Sequence, residues 1–365
     1  MELYQTIFYL LFFSLIFEFA PLKIRQFVLF LWVAFFAVFA GIRWGVGDDW
    51  DQYYRHFENA DWSNIFSYDR NDEGRLEPGF VFINILIKTL FGEFWIYNLI
   101  ICSFLQSTYF RFCLSFCPKH PLFLYVFIML VGGYYFIVRA GLSIAVCYWA
   151  FYAINKRKLP LFLLIVGLAT LIHYQCIILL PAYWLGKIKV HYLVALCLMG
   201  AFILLGFLFS DLFRLVLMSM GGSIVGKALA YTEMETIGGS GFSYTSILTN
   251  FFFLSVFYWF SSHNTYYNKE WVSTLTNLFI IQIAIYSVFS SVGGMNDLTR
   301  LVSVVFPAQV ILIAYSFQYF LNMKRKWLFA GYIVVILTYL LIKIPSLTSG
   351  YFFETTYVPY ATIFD

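Results

Sequence analysis

"FVLFLWVAFFAVFAGIRWGVGDDWDQYYRHF", residues 27 to 57, changes character at its middle. Phe27 to Ile42 carries no charge and approaches the ~20 apolar residues that cross a bilayer as a helix. From Arg43 onward, two arginines and three aspartates arrive within thirteen positions. The first half reads as a membrane span and the second as the loop it delivers to one surface. Ile7 to Ala20, Leu159 to Ile172, Tyr192 to Ser210 and Trp327 to Ile342 are further long runs almost without charge. Composition agrees: of 365 residues, 62% are apolar, 22% aromatic and only 12% charged, which no water-soluble core of this length requires. Segments of about ten residues with alternating polarity are absent, which argues against a lipid-embedded barrel. The reading is an all-α polytopic membrane protein.

Charge sets the expected topology. Glu2 precedes the first apolar run with no Lys or Arg before it, while Lys23 and Arg25 follow, so the first span is read as uncleaved with its N-terminus outside. Of 23 basic residues, thirteen lie in short connectors: Lys23 and Arg25, Arg111 and Lys119, Lys156 to Lys158, Lys187 and Lys189, Lys269, and Lys324 to Lys326. The positive-inside rule makes these connectors cytoplasmic. External turns then fall near 43–77, 132–139, 173, 211–244 and 291–300. Parity requires 78–91 not to span, and its 14 residues make only ~21 Å of helix. The expectation is about twelve transmembrane helices plus a re-entrant or interfacial helix near 78–91. They form one integral-membrane domain, 1–345, with outer loops 43–77 and 211–244 and a short outer tail, 346–365. Residues 121–155 and 159–186 are too short for two full spans each, so both hairpins turn below the outer surface, near Gly133 and His173. Irregular backbone at that depth is tolerated where protein or a water-filled cavity covers it. An outward-facing recess follows.

Polar chemistry collects at the same face. Residues 43–77 hold nine of the nineteen carboxylates and four arginines. Asp48 is placed to cap a helix from about 49 to 58, with Asp49, Tyr53 and Phe57 on one face. Taken alone, such a loop reads as a solvated amphipathic surface. Arg139 and Arg300, however, also stand at outer helix ends, as do Arg43 and His173, and an arginine within a span costs ~2.5–3.5 kcal/mol on insertion scales unless paired or wetted. Snorkelling to the interface explains any one of them. Together, Arg43, Arg139 and Arg300 suit a diphosphate, since each planar fork meets two oxygens. Such a leaving group needs only its charge held and a proton taken from the incoming hydroxyl, for which Asp49, Glu77 and His173 are the candidates. Trp44, Tyr53 and Tyr174, among other nearby aromatics, could stack on sugars, against a default of interfacial belt. No histidine pair has metal-ligand spacing, and Asp48, Asp49 and Asp51 make only a weak divalent-ion candidate, so neither metal nor cofactor is expected. Six cysteines, mostly in apolar runs, give no disulfide framework. Gly238 to Gly241 reads as a hinge in a lid, 211–244. No P-loop, dinucleotide fingerprint or basic nucleic-acid patch occurs, so no nucleic acid is expected as a partner.

Five motifs in series, "RWGVGDDWDQY" (43–53), "EPGF" (77–80), "VRAGLSIA" (138–145), "LIHYQCIILLP" (171–181) and "NDLTRLVSVVFP" (296–307), resemble the EpsG branch of the Wzy polysaccharide polymerases. The resemblance covers roughly residues 1 to 345. It implies a GT-C/Wzy-like membrane glycosyltransferase of a bacterial inner membrane that makes O-antigen, capsule or exopolysaccharide. Such an enzyme transfers a growing glycan from undecaprenyl diphosphate onto a new lipid-linked repeat unit at the periplasmic or outer face, in some systems with a chain-length regulator as partner. Carried over, Arg43, Arg139 and Arg300 would bind the donor diphosphate. Asp49, Glu77 and His173 would position or deprotonate the acceptor, and Asp48 departs from the family pattern, leaving both aspartates as candidates.

Other classes are weighed against this. An O-antigen ligase shares donor and fold but usually carries a larger late outer loop than 211–244. An acyltransferase has only His173 to offer as its catalytic histidine. A flippase or transporter of lipid-linked sugars predicts mid-membrane charges and an internal repeat, and no clear repeat is present.

Overall fold

A computed structural model of the chain describes residues 2–47, 49–66, 76–132, 136, 138–208, 244–289, 301–348 and 351–365. Asp48, Arg300, Gly133 and the loop expected to form a lid lie outside the described residues.

The described chain is helical throughout, and its one β-type contact is an isolated antiparallel bridge between Arg43 and Thr362. In chain order the helices are α1 (Glu2–Phe13, extended by a 3-10 segment Ser14–Phe19), α2 (Leu22–Gly41), α3 (Trp50–Asn59), α4 (Pro78–Phe91) and α5 (Phe94–Phe116). Next come α6 (Pro121–Phe127, running into one π turn, Ile128–Gly132), α7 (Arg139–Asn155), α8 (Leu159–Ile172) and a 3-10 segment, Tyr174–Tyr183. The remainder is α9 (Tyr192–Leu208), α10 (Tyr244–His263), α11 (Lys269–Phe289), α12 (Val302–Asn322), α13 (Lys326–Leu347) and α14 (Tyr351–Tyr357). Six of the described helical stretches have the length and apolar composition of a span, and four shorter apolar ones accompany them. This is a polytopic membrane architecture.

Burial orders the bundle. In its most apolar stretch α12 is 83% buried, whereas α13 is 22% buried, so α12 runs through the centre and α13 along the periphery. Packing pairs α2 with α5, α7 with α8, and α11 with both α9 and α12. A second, smaller core joins Trp50, Tyr53 and Phe57 of α3 to Phe80 of α4 and to Phe94 and Tyr97 of α5.

The basic connectors gather at one end. Arg25 donates to the Lys119 carbonyl (2.6 Å), and Glu18 meets His120 (2.8 Å). Arg157 donates to the Tyr183 carbonyl (2.7 Å) and pairs with Glu270. Tyr267 donates to Gln318 (2.7 Å), which in turn reaches Cys117 (3.4 Å). At the opposite end lie Arg43, Phe136 and the C-terminal residues Thr356 to Ile363, tied by hydrogen bonds. This two-ended distribution is what the connector charges predict.

Depth follows from the same contacts. From the basic end, α8 climbs 14 residues, ~21 Å at 1.5 Å each. The 3-10 segment then descends ten residues, ~20 Å at 2 Å each, to Tyr183, which Arg157 holds back at the basic end. Both fall short of a ~30 Å hydrocarbon core. His173 stands at the turn of this short hairpin. The sequence expectation of a hairpin breaking at His173 holds, and α4 has the bounds expected for the helix near 78–91.

Membrane-impermeant maleimide on intact cells tests the two ends. Cysteines introduced as Lys158→Cys and Thr362→Cys are expected to label from opposite sides of the membrane. Labelling of both from outside without permeabilisation would break the arrangement.

Candidate functional site

Three helix ends meet around one carboxylate. Glu77 occupies the N-cap position of α4, Arg139 opens α7, and His173 follows the last residue of α8. Glu77 Oε2 pairs with Arg139 Nη1 at 3.2 Å, while Oε1 meets His173 Nδ1 at 2.8 Å and accepts from the Tyr174 backbone N–H at 3.1 Å. The structure thus joins a predicted base pair and a predicted diphosphate ligand that are far apart in sequence.

Local chemistry explains each placement. Pro78 is suited to the first turn of a helix, where its missing N–H costs nothing, so the chain before it is extended and Glu77 is left at the helix entrance. Gly79 lets that entrance approach α8: a Cβ there would stand 2.7 Å from the Leu171 carbonyl oxygen. Any side chain would push Glu77 away from His173. Arg139 at a helix N-terminus faces the positive end of the α7 dipole and is stabilised there only by a counter-charge, which Glu77 supplies.

Electrostatics follow. Burial raises the Glu77 carboxyl, but the hydrogen bond with His173 and the Arg139 charge outweigh it and bring it down to about 2. Glu77 is therefore ionised at neutral pH. Around the carboxylate stand the N-terminal ends of α4 and α7, the C-terminal end of α8, the Arg139 guanidinium and the Tyr174 N–H. Two donors are also unspent: among the described residues, neither Arg139 Nε nor the Nε2 of buried Gln175 has a hydrogen-bond partner. The arrangement sets a guanidinium and an imidazole against the two oxygens of one carboxylate.

The other candidates are placed differently. Arg43 is 1% exposed, and its guanidinium is spent on main-chain carbonyls: Nε to Val46 (3.0 Å), Nη1 to Ala40 (2.7 Å) and Nη2 to Phe136 (2.7 Å). Its burial, with three of its five N–H groups held by these carbonyls, runs against the expectation that it presents a fork to a diphosphate. Asp49 takes the N-cap position of α3 that was expected of Asp48, and makes no side-chain cap bond. Tyr53 is buried against Phe80 (5.9 Å), so it is a core residue and not the sugar platform expected of it. Its spacing with Trp50 and Phe57 was the available signal for that.

Tyr174, in contrast, is 67% exposed, with its ring set edge-on to His173 at 5.1 Å. Trp44 is also exposed and leans on Trp50 at 4.9 Å. Sequence reasoning missed Gly79 and Gln175. For Gly79 the signal lay in its place directly after Glu77 and a helix-starting proline. Gln175 shares a motif with His173 but has no pattern of its own. Among the described residues, no three His, Cys, Asp or Glu side chains gather as a metal site.

The family model for the EpsG family matches residues 26–362, nearly the whole chain. No curated protein and no solved structure matches.

Two outcomes are expected. The folded-state pKa of Glu77 lies below its ordinary value of 4.5, so the stability from its ionised form is complete above about pH 4.5 and lost as pH falls through about 2. In thermal melts of the detergent-solubilised protein, the gap between wild type and Glu77→Gln should therefore hold steady from neutral pH down to about 5 and close below it. A gap unchanged at about pH 2.5 would show that the carboxylate's charge is not what stabilises the cluster. Gly79→Ala should cost ~1–3 kcal/mol by overpacking, and unaltered melting would contradict the Leu171 contact.

Proposed function

We propose, from the premise that this chain belongs to the EpsG family, a Wzy-type polysaccharide polymerase family, that it joins undecaprenyl-diphosphate-linked oligosaccharide repeat units into O-antigen, capsular or exopolysaccharide at the outer face of a bacterial inner membrane. The observation that carries the reading is the contact of Arg139 and His173 with one carboxylate, Glu77, at the turn of a short hairpin. The protein threads the bilayer about twelve times in this reading, with the basic connectors in the cytoplasm. Donor and acceptor then enter the recess from the opposite side.

In the transfer, the acceptor sugar hydroxyl attacks the anomeric carbon of the donor glycan. A new C–O bond forms, and the bond from that carbon to the diphosphate breaks. The hydroxyl proton passes to the Glu77–His173 pair. Glu77 is already ionised and steadies the imidazolium that results, as a carboxylate does for a histidine base elsewhere. The departing diphosphate carries the electron pair, and Arg139 takes its charge through the edge of the guanidinium that Glu77 does not use. Arg300, outside the described residues, keeps the diphosphate role that the family resemblance implies. Tyr174, exposed beside the histidine, offers a face for a sugar ring, and Trp44 a second face further along the loop. General-base removal typically costs ~10²–10⁴ in rate, and with both Glu77 oxygens engaged by Arg139 and His173 the imidazole is the proton acceptor of this pair.

Breaking a buried ion pair by removing one partner costs ~3–5 kcal/mol, so single variants confound folding with activity. The double variant Glu77→Gln/Arg139→Gln removes both charges together. It is expected to accumulate as folded protein and yet leave the surface-glycan ladder of a complemented deletion strain collapsed to a single repeat unit. Arg139→Lys should rescue poorly, because an ammonium cannot keep Glu77 and bind two phosphate oxygens. Long-chain glycan from the double variant would remove the assignment. Loss of every unit in the deletion strain, with lipid-linked repeats accumulating, would redirect it to a ligase or a flippase.

A further inference from the structure

The C-terminal residues do not trail from α13. They return to the first outer loop and bracket it with main-chain bonds: Trp44 N–H to the Ala361 carbonyl (3.0 Å), Ile363 N–H to Ile42 (3.0 Å) and Gly47 N–H to Thr356 (3.1 Å). Tyr360 donates to the Phe39 carbonyl and stacks on the Phe39 ring at 4.4 Å and 12°. Tyr357 stacks on Phe136 at 5.4 Å, and Phe136 lies under the Arg43 guanidinium at 5.2 Å. Gly47 passes between Arg43 and Tyr357 with φ +119°, a conformation that L side chains rarely adopt.

Arg43 is the joint of this assembly. Two of its bonds fold the loop 40–46 back on itself, and the third holds the carbonyl of Phe136, three residues before Arg139. The tail therefore touches none of Glu77, Arg139 and His173 through these bonds. It grips residues 42–47, which lead towards α3, and the ring of Phe136, three residues before Arg139. Irregular backbone has no ladder of its own to fix it, so its position is set by whatever its polar groups bond to. The family match also extends through the tail to residue 362.

We propose that residues 351–363, acting through Arg43, are a positioning element of the site: the tail fixes where α7 begins and so where the Arg139 guanidinium stands. Arg43 acts through Phe136 and does not bind the diphosphate. The functional half of this inference rests on the polymerase reading, and the structural half does not.

Hydrogen exchange of the purified full chain in lipid nanodiscs measures the structural half directly. Ile363→Pro removes one main-chain donor, and Tyr360→Phe removes one hydroxyl while keeping the ring stack, so both are mild enough to fold. Each is expected to speed exchange at 42–47 and at 139–143, with α11 and α12 unchanged. Unchanged exchange at 139–143 overturns the inference. Arg43→Gln should give the same pattern, and combining it with Ile363→Pro should add little, because both cut one mechanical path. Full additivity overturns it too.

In cells, the surface-glycan ladder of Ile363→Pro should shorten, with polymer yield down on the order of ten- to a hundredfold, the cost of misplacing a catalytic group by about an ångström. A normal ladder alongside altered exchange overturns the functional half alone. If the deletion strain itself keeps a normal ladder, the polymerase reading has failed and the positioning role stands on exchange.

Discussion

Glu77 receives bonds from three groups on two other segments: the Arg139 guanidinium, the His173 ring and the Tyr174 backbone. Without that carboxylate, α7 would begin with an uncompensated cation at the positive end of its own dipole, in a setting where an unpaired arginine is costly. The turn after α8 would also leave a main-chain N–H unmet at a depth where water is scarce. One side chain thus meets both needs. It also brings the ends of three helices to one place.

Depth gives this cluster its chemical character. The arms of the hairpin, α8 and the 3-10 segment, are each shorter than a ~30 Å hydrocarbon layer, and in the polytopic reading its turn lies below one surface. Charges there interact more strongly than at an exposed face, because less water screens them. The hydrogen bond with His173 and the Arg139 charge hold the carboxylate well below its ordinary range despite burial. In the polymerase reading, an incoming anion competes with Glu77 for Arg139.

Much of this was legible in the residues. Uncharged runs gave the helices, basic connectors gave the two ends, and the length of 78–91 set that helix apart. Glu77, Arg139 and His173 stood out because charged residues at apolar borders demand partners. Arg43 stood out for the same reason, yet its partners are backbone carbonyls, one of them 93 residues away, and no side-chain pattern marks those. Its charge was visible and its destination was not. Tyr53 shows the opposite error, since the spacing of Trp50, Tyr53 and Phe57 already marked a buried face, and the neighbouring aspartates drew attention from it. Gly79 matters for an absence of atoms, which sequence registers only as a small residue beside a charged one.

The bridge between residues 42–44 and 361–363 also bears on how the protein is made. A membrane protein enters the bilayer segment by segment as it leaves the ribosome, and residues 42–47 emerge long before residues 356–363. Their main-chain partners at Thr356, Ala361 and Ile363 lie beyond every long helix of the bundle. Arg43 can bond to its own loop early, but the clasp that immobilises it waits until the chain has been made through Ile363. This end of the bundle is therefore closed only after α13 is in place, and a chain cut before Thr356 would keep its spans and leave residues 42–47 unheld.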